Sequence, residues 1–132
     1  MPLPLAEITQ LLQQSLPELM ALYLFGSHAS GTANPESDLD LALLLPGKAD
    51  PLTLWQLGDK VAERVGYPVD LLDLRAATTV MQYQIITTGR RIWEKDHQPA
   101  LYESFILSEK TALDEARAPL LERIQREGTI HG

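Results

Sequence analysis

Apolar positions along the chain follow two rhythms, one with helical spacing and one in short continuous runs. Leu5, Ile8, Leu11 and Leu12 recur on one face of a helix predicted from about Leu5 to Leu16, and Pro17 stops it. Leu19-Met20-Ala21-Leu22-Tyr23-Leu24-Phe25 is then an unbroken apolar run of strand length. A strand without polar alternation is expected where both of its faces are buried. The run ends abruptly at Gly26-Ser27. Residues His28 to Ser37 are small and polar, with Gly31, Asn34 and Pro35 as breakers, which suits one short helical turn and a loop. Asp38 to Leu45 reads as a second strand, stopped by Pro46-Gly47. Leu54, Leu57, Val61, Ala62 and Val65 predict a helix from about Leu52 to Val65, with Gly66 at its C-cap. Val69 to Leu74 is a third short strand. Thr78 or Thr79 caps a further helix ending near Gly89, and Arg91-Ile92-Trp93-Glu94 predicts an edge strand.

From about Ala100 onward the pattern is helical, with Leu101, Phe105, Ala112, Leu113, Ala116, Leu120 and Ile124 as apolar positions. Pro119 is expected to kink or divide this helix, because its ring removes a backbone donor and crowds the preceding turn. There is no repeat and no linker. The expectation is one domain spanning residues 1–132, with a helical segment at about 100–128 as a candidate partner interface.

Composition narrows the chemistry. With 45% hydrophobic and 22% charged residues the chain has an ordinary soluble, globular balance. No apolar run approaches the roughly 18 residues of a membrane span. The opening Met1-Pro2-Leu3-Pro4-Leu5 lacks the basic region of a signal peptide, so a cytoplasmic location is expected. The absence of cysteine removes disulfides, thiolate metal sites and cysteine nucleophiles together. His28, His97 and His131 show no ligand spacing. The net charge of −7, from 18 acidic and 11 basic residues, disfavours nucleic acid as a direct partner. The only basic doublet is Arg90-Arg91. Any phosphate bound here would arrive with a metal ion, and a basic protein suits the acidic surface better than RNA or DNA.

Two short motifs carry the candidate chemistry. Residues two apart on a strand project to the same face, so Asp38 and Asp40 converge while Leu39 and Leu41 point the other way. Two adjacent carboxylates repel one another, and desolvation raises that cost. A hard cation with oxygen ligands would make sense of the pair. An EF-hand is excluded, since the following glycine, the ligand rhythm and the terminal glutamate are missing. Gly26-Ser27, directly after a buried strand, offers a sharp turn, free backbone N–H groups and a hydroxyl, a natural anion site. Each motif alone is usually only a turn or an exposed strand start. If their strands are neighbours, phosphate donors face metal carboxylates.

The stretch from Gly26-Ser27 through Gly31-Thr32-Ala33-Asn34-Pro35-Glu36-Ser37 to Asp38-Leu39-Asp40 resembles the signature of the DNA polymerase β-like nucleotidyltransferases. More narrowly, it is similar to their minimal nucleotidyltransferase (MNT) group. The resemblance implies an α/β (α+β) fold, with a small mixed sheet flanked by helices, and two Mg2+ ions holding ATP or another nucleoside triphosphate. Asp38 and Asp40 would be catalytic and metal-binding, with Gly26 and Ser27 on the phosphates. It also implies a third carboxylate on a later strand. Asp70 and Asp73 are the candidates, and at three residues apart they face opposite ways. Asp70, which opens its strand, fits the family pattern; Asp73 is expected to be solvated, near Arg75. The group often has basic residues where this chain has His28 and Ser30, and His28 is expected to be a surface loop residue.

Stand-alone members of the MNT group resembled here are typically antitoxins paired with a helical HEPN toxin that has RNase activity. The resemblance therefore implies transfer of AMP from ATP to a toxin hydroxyl, a tyrosine in some such pairs. Steric masking of the toxin with a vestigial nucleotide site is the alternative, as is a small-molecule nucleotidyltransferase. At this length the acceptor must be presented largely by another protein.

Overall fold

Local signals in the chain place each element. The structure, a computed structural model, describes residues 3–33 and 37–131, with side chains described to residue 118. Helix α1 (Leu5–Ser15) buries Ile8 and Leu12 and leads into strand β1 (Ala21–Phe25). A one-turn helix α2 (Ser27–Ser30) follows, then β2 (Leu39–Leu44). The Asp50 carboxylate accepts the Thr53 N–H at 3.1 Å and Pro51 occupies the first turn, so α3 (Pro51–Val65) starts where both features favour it. Gly66 ends it with φ 69°, as its position in the sequence predicts. Strand β3 (Val69–Asp73) passes through a single 3-10 turn into α4 (Thr79–Thr88). Of the two candidate caps it is Thr78 whose side chain accepts the Met81 N–H, at 3.2 Å. Strand β4 (Arg90–Glu94) and the long helix α5 (Gln98–His131) complete the fold.

The four strands form one mixed sheet in the order β3-β2-β1-β4. Strand β1 pairs antiparallel with both β2 and β4, and β2 pairs parallel with β3. The unbroken apolar runs therefore occupy the two central positions. Leu22, Leu24, Leu39, Leu41 and Leu43 face α1 and α3, where they pack with Ile8, Leu12, Leu57 and Val61. Ala21, Tyr23, Ala42 and Leu44 face the opposite way, toward Ile85 of α4 and Tyr102 of α5. Among the described residues, no helix is long and apolar enough to cross a membrane.

Helix α5 departs from the sequence expectation twice. It is a single helix from Gln98 to His131, so Pro119 does not divide it. Its inward face also runs through Tyr102 and Ile106, not through Leu101 and Phe105. Ile106 is 2% exposed, whereas Leu101 is 65% and Phe105 57% exposed. Periodicity fails here because apolar residues occupy both faces of the helix, and only the contact with α4 and the sheet selects one. Ala112 and Ala116 are exposed and Leu113 is half-buried, while the side chains of Leu120 and Ile124 lie outside those described. Ile106→Ala should destabilise the protein by about 2–5 kcal/mol through the cavity it leaves. Phe105→Ala should stay within about 0.5 kcal/mol. Urea unfolding of the two variants separates them, and equal losses would put the core face elsewhere.

Candidate active site

The sheet topology brings the two motifs together. Strand β1 delivers Gly26-Ser27 at its C-terminal end, and antiparallel β2 begins beside it, with Phe25 opposite Asp40. Parallel β3 then starts at the same edge, and its register sets Asp70 directly beside Asp40. Asp38 lies just before β2 and is exposed, as is Asp70, while Asp40 is half-buried. All five residues singled out in the sequence, Gly26, Ser27, Asp38, Asp40 and Asp70, thus meet at one sheet edge.

Electrostatics and sterics single out Asp40. Its pKa is raised, first by burial, then by the charges of Asp70 and Asp38, with His28 opposing the shift. A carboxylate held beside two others, its charge offset among the described residues only in part by His28, gives a donor set that fits a hard divalent cation. No group of three or more carboxylate or histidine side chains forms a ready-made metal cage among the described residues. Gly26 has φ 74° and ψ −155°, a region open essentially to glycine alone. A Cβ at this position would also overlap the Asp40 carboxylate. Backbone conformation and the approach of Asp40 therefore demand the same residue.

Two residues behave differently from the sequence expectation. His28 is half-buried, with Nε2 3.1 Å from the Tyr67 hydroxyl and 3.4 Å from the Ser37 carbonyl. Its ring meets Tyr67 edge-on at 5.6 Å between centroids. It is therefore a strut from α2 to the segments that carry Asp38 and Asp70, not a free loop residue. Tyr67, near the end of a helix in sequence, gave no signal of this role. Asp73 is not solvated. It is 6% exposed, accepting the Ala49 N–H at 2.7 Å and the Arg75 N–H at 3.1 Å. Those bonds fix the far end of β3, and they leave Asp70 as the carboxylate beside Asp40. Asn34, Pro35 and Glu36, within the signature, lie outside the described residues.

Because its pKa is raised in the folded state, Asp40 destabilises the fold once pH exceeds the ordinary carboxylate value. The penalty grows as pH rises through the folded pKa and is absent in acid, where the group is protonated in both states. Asp40→Asn should therefore raise the metal-free melting temperature at pH 7, with the gain vanishing near about pH 3. Thermal unfolding across that range checks the sign. Gly26→Ala should cost about 1–3 kcal/mol from backbone strain alone, measured by urea unfolding.

Comparison with known proteins agrees with this geometry. Residues 6–98 match the family model described as polymerase beta, nucleotidyltransferase. The chain is 33% identical over 118 residues to the protein adenylyltransferase MntA of Shewanella oneidensis, covering 89% of this chain and 85% of that protein. It superposes on a chain of a toxin–antitoxin crystal structure with AMP-PNP, at a TM-score of 0.83 and 32% identity, over 93% of this chain and 99% of that one. A structure of tri-AMPylated S. oneidensis HEPN toxin in complex with MNT antitoxin gives a TM-score of 0.74 and 30% identity, covering 91% and 94%.

Proposed function

The chain belongs to the polymerase β nucleotidyltransferase family, and we propose that it is an antitoxin-type protein adenylyltransferase that modifies a HEPN toxin. The observation that carries the reading is the meeting of Asp38, Asp40 and Asp70 opposite Gly26-Ser27. The similarity to MntA, and to complexes described with AMP-PNP and with tri-AMPylated toxin, supports both the donor and the acceptor.

Asp38, Asp40 and Asp70 would hold two Mg2+ ions. When bound, these would make the acceptor hydroxyl more acidic and neutralise the leaving pyrophosphate. Ser27 and the backbone N–H groups at the start of α2 hold the terminal phosphates. Asp70 stands on the acceptor side and accepts the hydroxyl proton. The acceptor oxygen bonds to the α-phosphorus as the bond to the β-phosphate's bridging oxygen breaks, releasing pyrophosphate. Gly26 lets the phosphate-binding turn close against Asp40 with no side chain between them. Catalysis is then mainly positioning and charge neutralisation.

Helix α5 supports a protein acceptor. Leu101 and Phe105, one helical turn apart, are both exposed on it, an apolar strip of the kind that a partner helix covers. The test uses purified chain, Mg-ATP and the HEPN-type protein encoded beside it, with products read by intact mass. An AMP-sized gain on the partner is expected, reduced at least about 100-fold in rate by Asp38→Asn with Asp40→Asn. Neutralisation that survives the double substitution, with no mass change, would favour steric masking instead.

A further inference from the structure

We propose that the acceptor segment of the partner enters from the outer edge of β3, lying extended in the cleft between β3 and α3 with Trp55 as its anchor. The proposal rests on the adenylyltransferase reading and deepens it. Displacement at phosphorus sets the attacking and leaving oxygens in line. The pyrophosphate side is fixed by Gly26-Ser27 at the end of β1, and Asp70 stands two strands away on β3. The hydroxyl must therefore arrive from the β3 side.

That side is open. The outer edge of β1 is covered by β4, whereas β3 ends the sheet, paired with β2 on one side and with no strand among the described residues on the other. An edge of this kind accepts an extended peptide through main-chain hydrogen bonds. Beside it runs a cleft of about 480 Å3, lined by Asp38 and Asp70 at the catalytic end and by Leu71, Trp55, Gly58 and Asp59 farther along. Gly58 is buried against β3, where an added Cβ would lie 3.6 Å from the Leu71 side chain and from the Val69 carbonyl, so α3 forms the cleft floor there.

The cleft wall is made for a polypeptide. Trp55 is 67% exposed, an indole left in water at the cleft. Exposed tryptophans at a cleft mouth are the residues that most often dominate protein recognition. Asp38, Asp59 and Asp70 are the charged side chains there besides Asp73, whose oxygens are already hydrogen-bonded, and no described lining residue is basic. With Asp38 and Asp70 engaged by the metal ions, Asp59 is the carboxylate left on the wall, and a segment with arginine or lysine beside its acceptor hydroxyl is attracted to it.

The experiment uses the full chain, Mg-ATP and the full-length HEPN-type partner. Trp55→Ala should raise KM for the partner about tenfold or more, with kcat changed less than about threefold and ATP affinity unaltered. Asp59→Lys should act in the same direction. In a second arm, photoreactive p-benzoylphenylalanine in place of Trp55 should crosslink to the partner peptide that carries the modified hydroxyl. Unchanged partner KM, a crosslink to a distant partner surface, or an equal loss of ATP affinity would each overturn the cleft assignment while wild-type AMP transfer still stands. A wild-type chain that transfers nothing overturns the adenylyltransferase reading and this proposal with it.

Discussion

Asp40 sits against the α-carbon of Gly26, flanked by the like charges of Asp70 and Asp38, and much of the molecule serves to hold it there. Unfolded, these groups would separate and hydrate. In the fold they cannot separate, because β1, β2 and β3 are locked in register by a core that buries leucines on both sides of the sheet. Apolar burial contributes roughly 1.5–3 kcal/mol for each fully buried leucine. Repulsion among a few partly solvated carboxylates is small beside that sum. The fold can therefore keep a cluster of carboxylates that repel one another.

The supports around this edge are local and specific. His28 and Tyr67 tie the turn after β1 to the chain entering β3. Asp73 secures the other end of β3 by accepting two backbone N–H groups. On the far face, the Tyr23 hydroxyl donates to Glu103 at 3.2 Å, and Arg91 pairs with the same carboxylate, so α5 is fastened to β1 and β4. Burial first, and Glu103 next, push the Tyr23 pKa upward, with Arg91 opposing them, consistent with a neutral hydroxyl that donates to Glu103. The basic doublet of the sequence is thus partly consumed in fixing α5.

The resulting molecule is asymmetric about its sheet edge. The Gly26-Ser27 turn lies toward β1, while β3 faces outward with a cleft and an exposed indole beside it. Helix α5 carries a separate apolar strip, at Leu101 and Phe105. Two surfaces of different character suit a protein that must both grip a partner and place one of its hydroxyls. Binding energy from a surface remote from the chemistry is a standard means of orienting a reacting group.

By itself, the sequence determined the element order, the burial of both central strands and the pairing of Gly26-Ser27 with Asp38 and Asp40. Those features are written in local terms: run length, caps, breakers and the two-residue period of a strand. Spacing also showed that only one of Asp70 and Asp73 could join the site, and the family resemblance pointed to Asp70. What it left open needed contacts distant along the chain. Whether Asp73 is solvated depends on Ala49, and whether His28 is free depends on Tyr67. Which face of α5 is inward depends on α4 and the sheet, because both faces carry apolar residues. Pattern alone assigns a residue to a face of its own element; only tertiary packing decides what, if anything, that face meets.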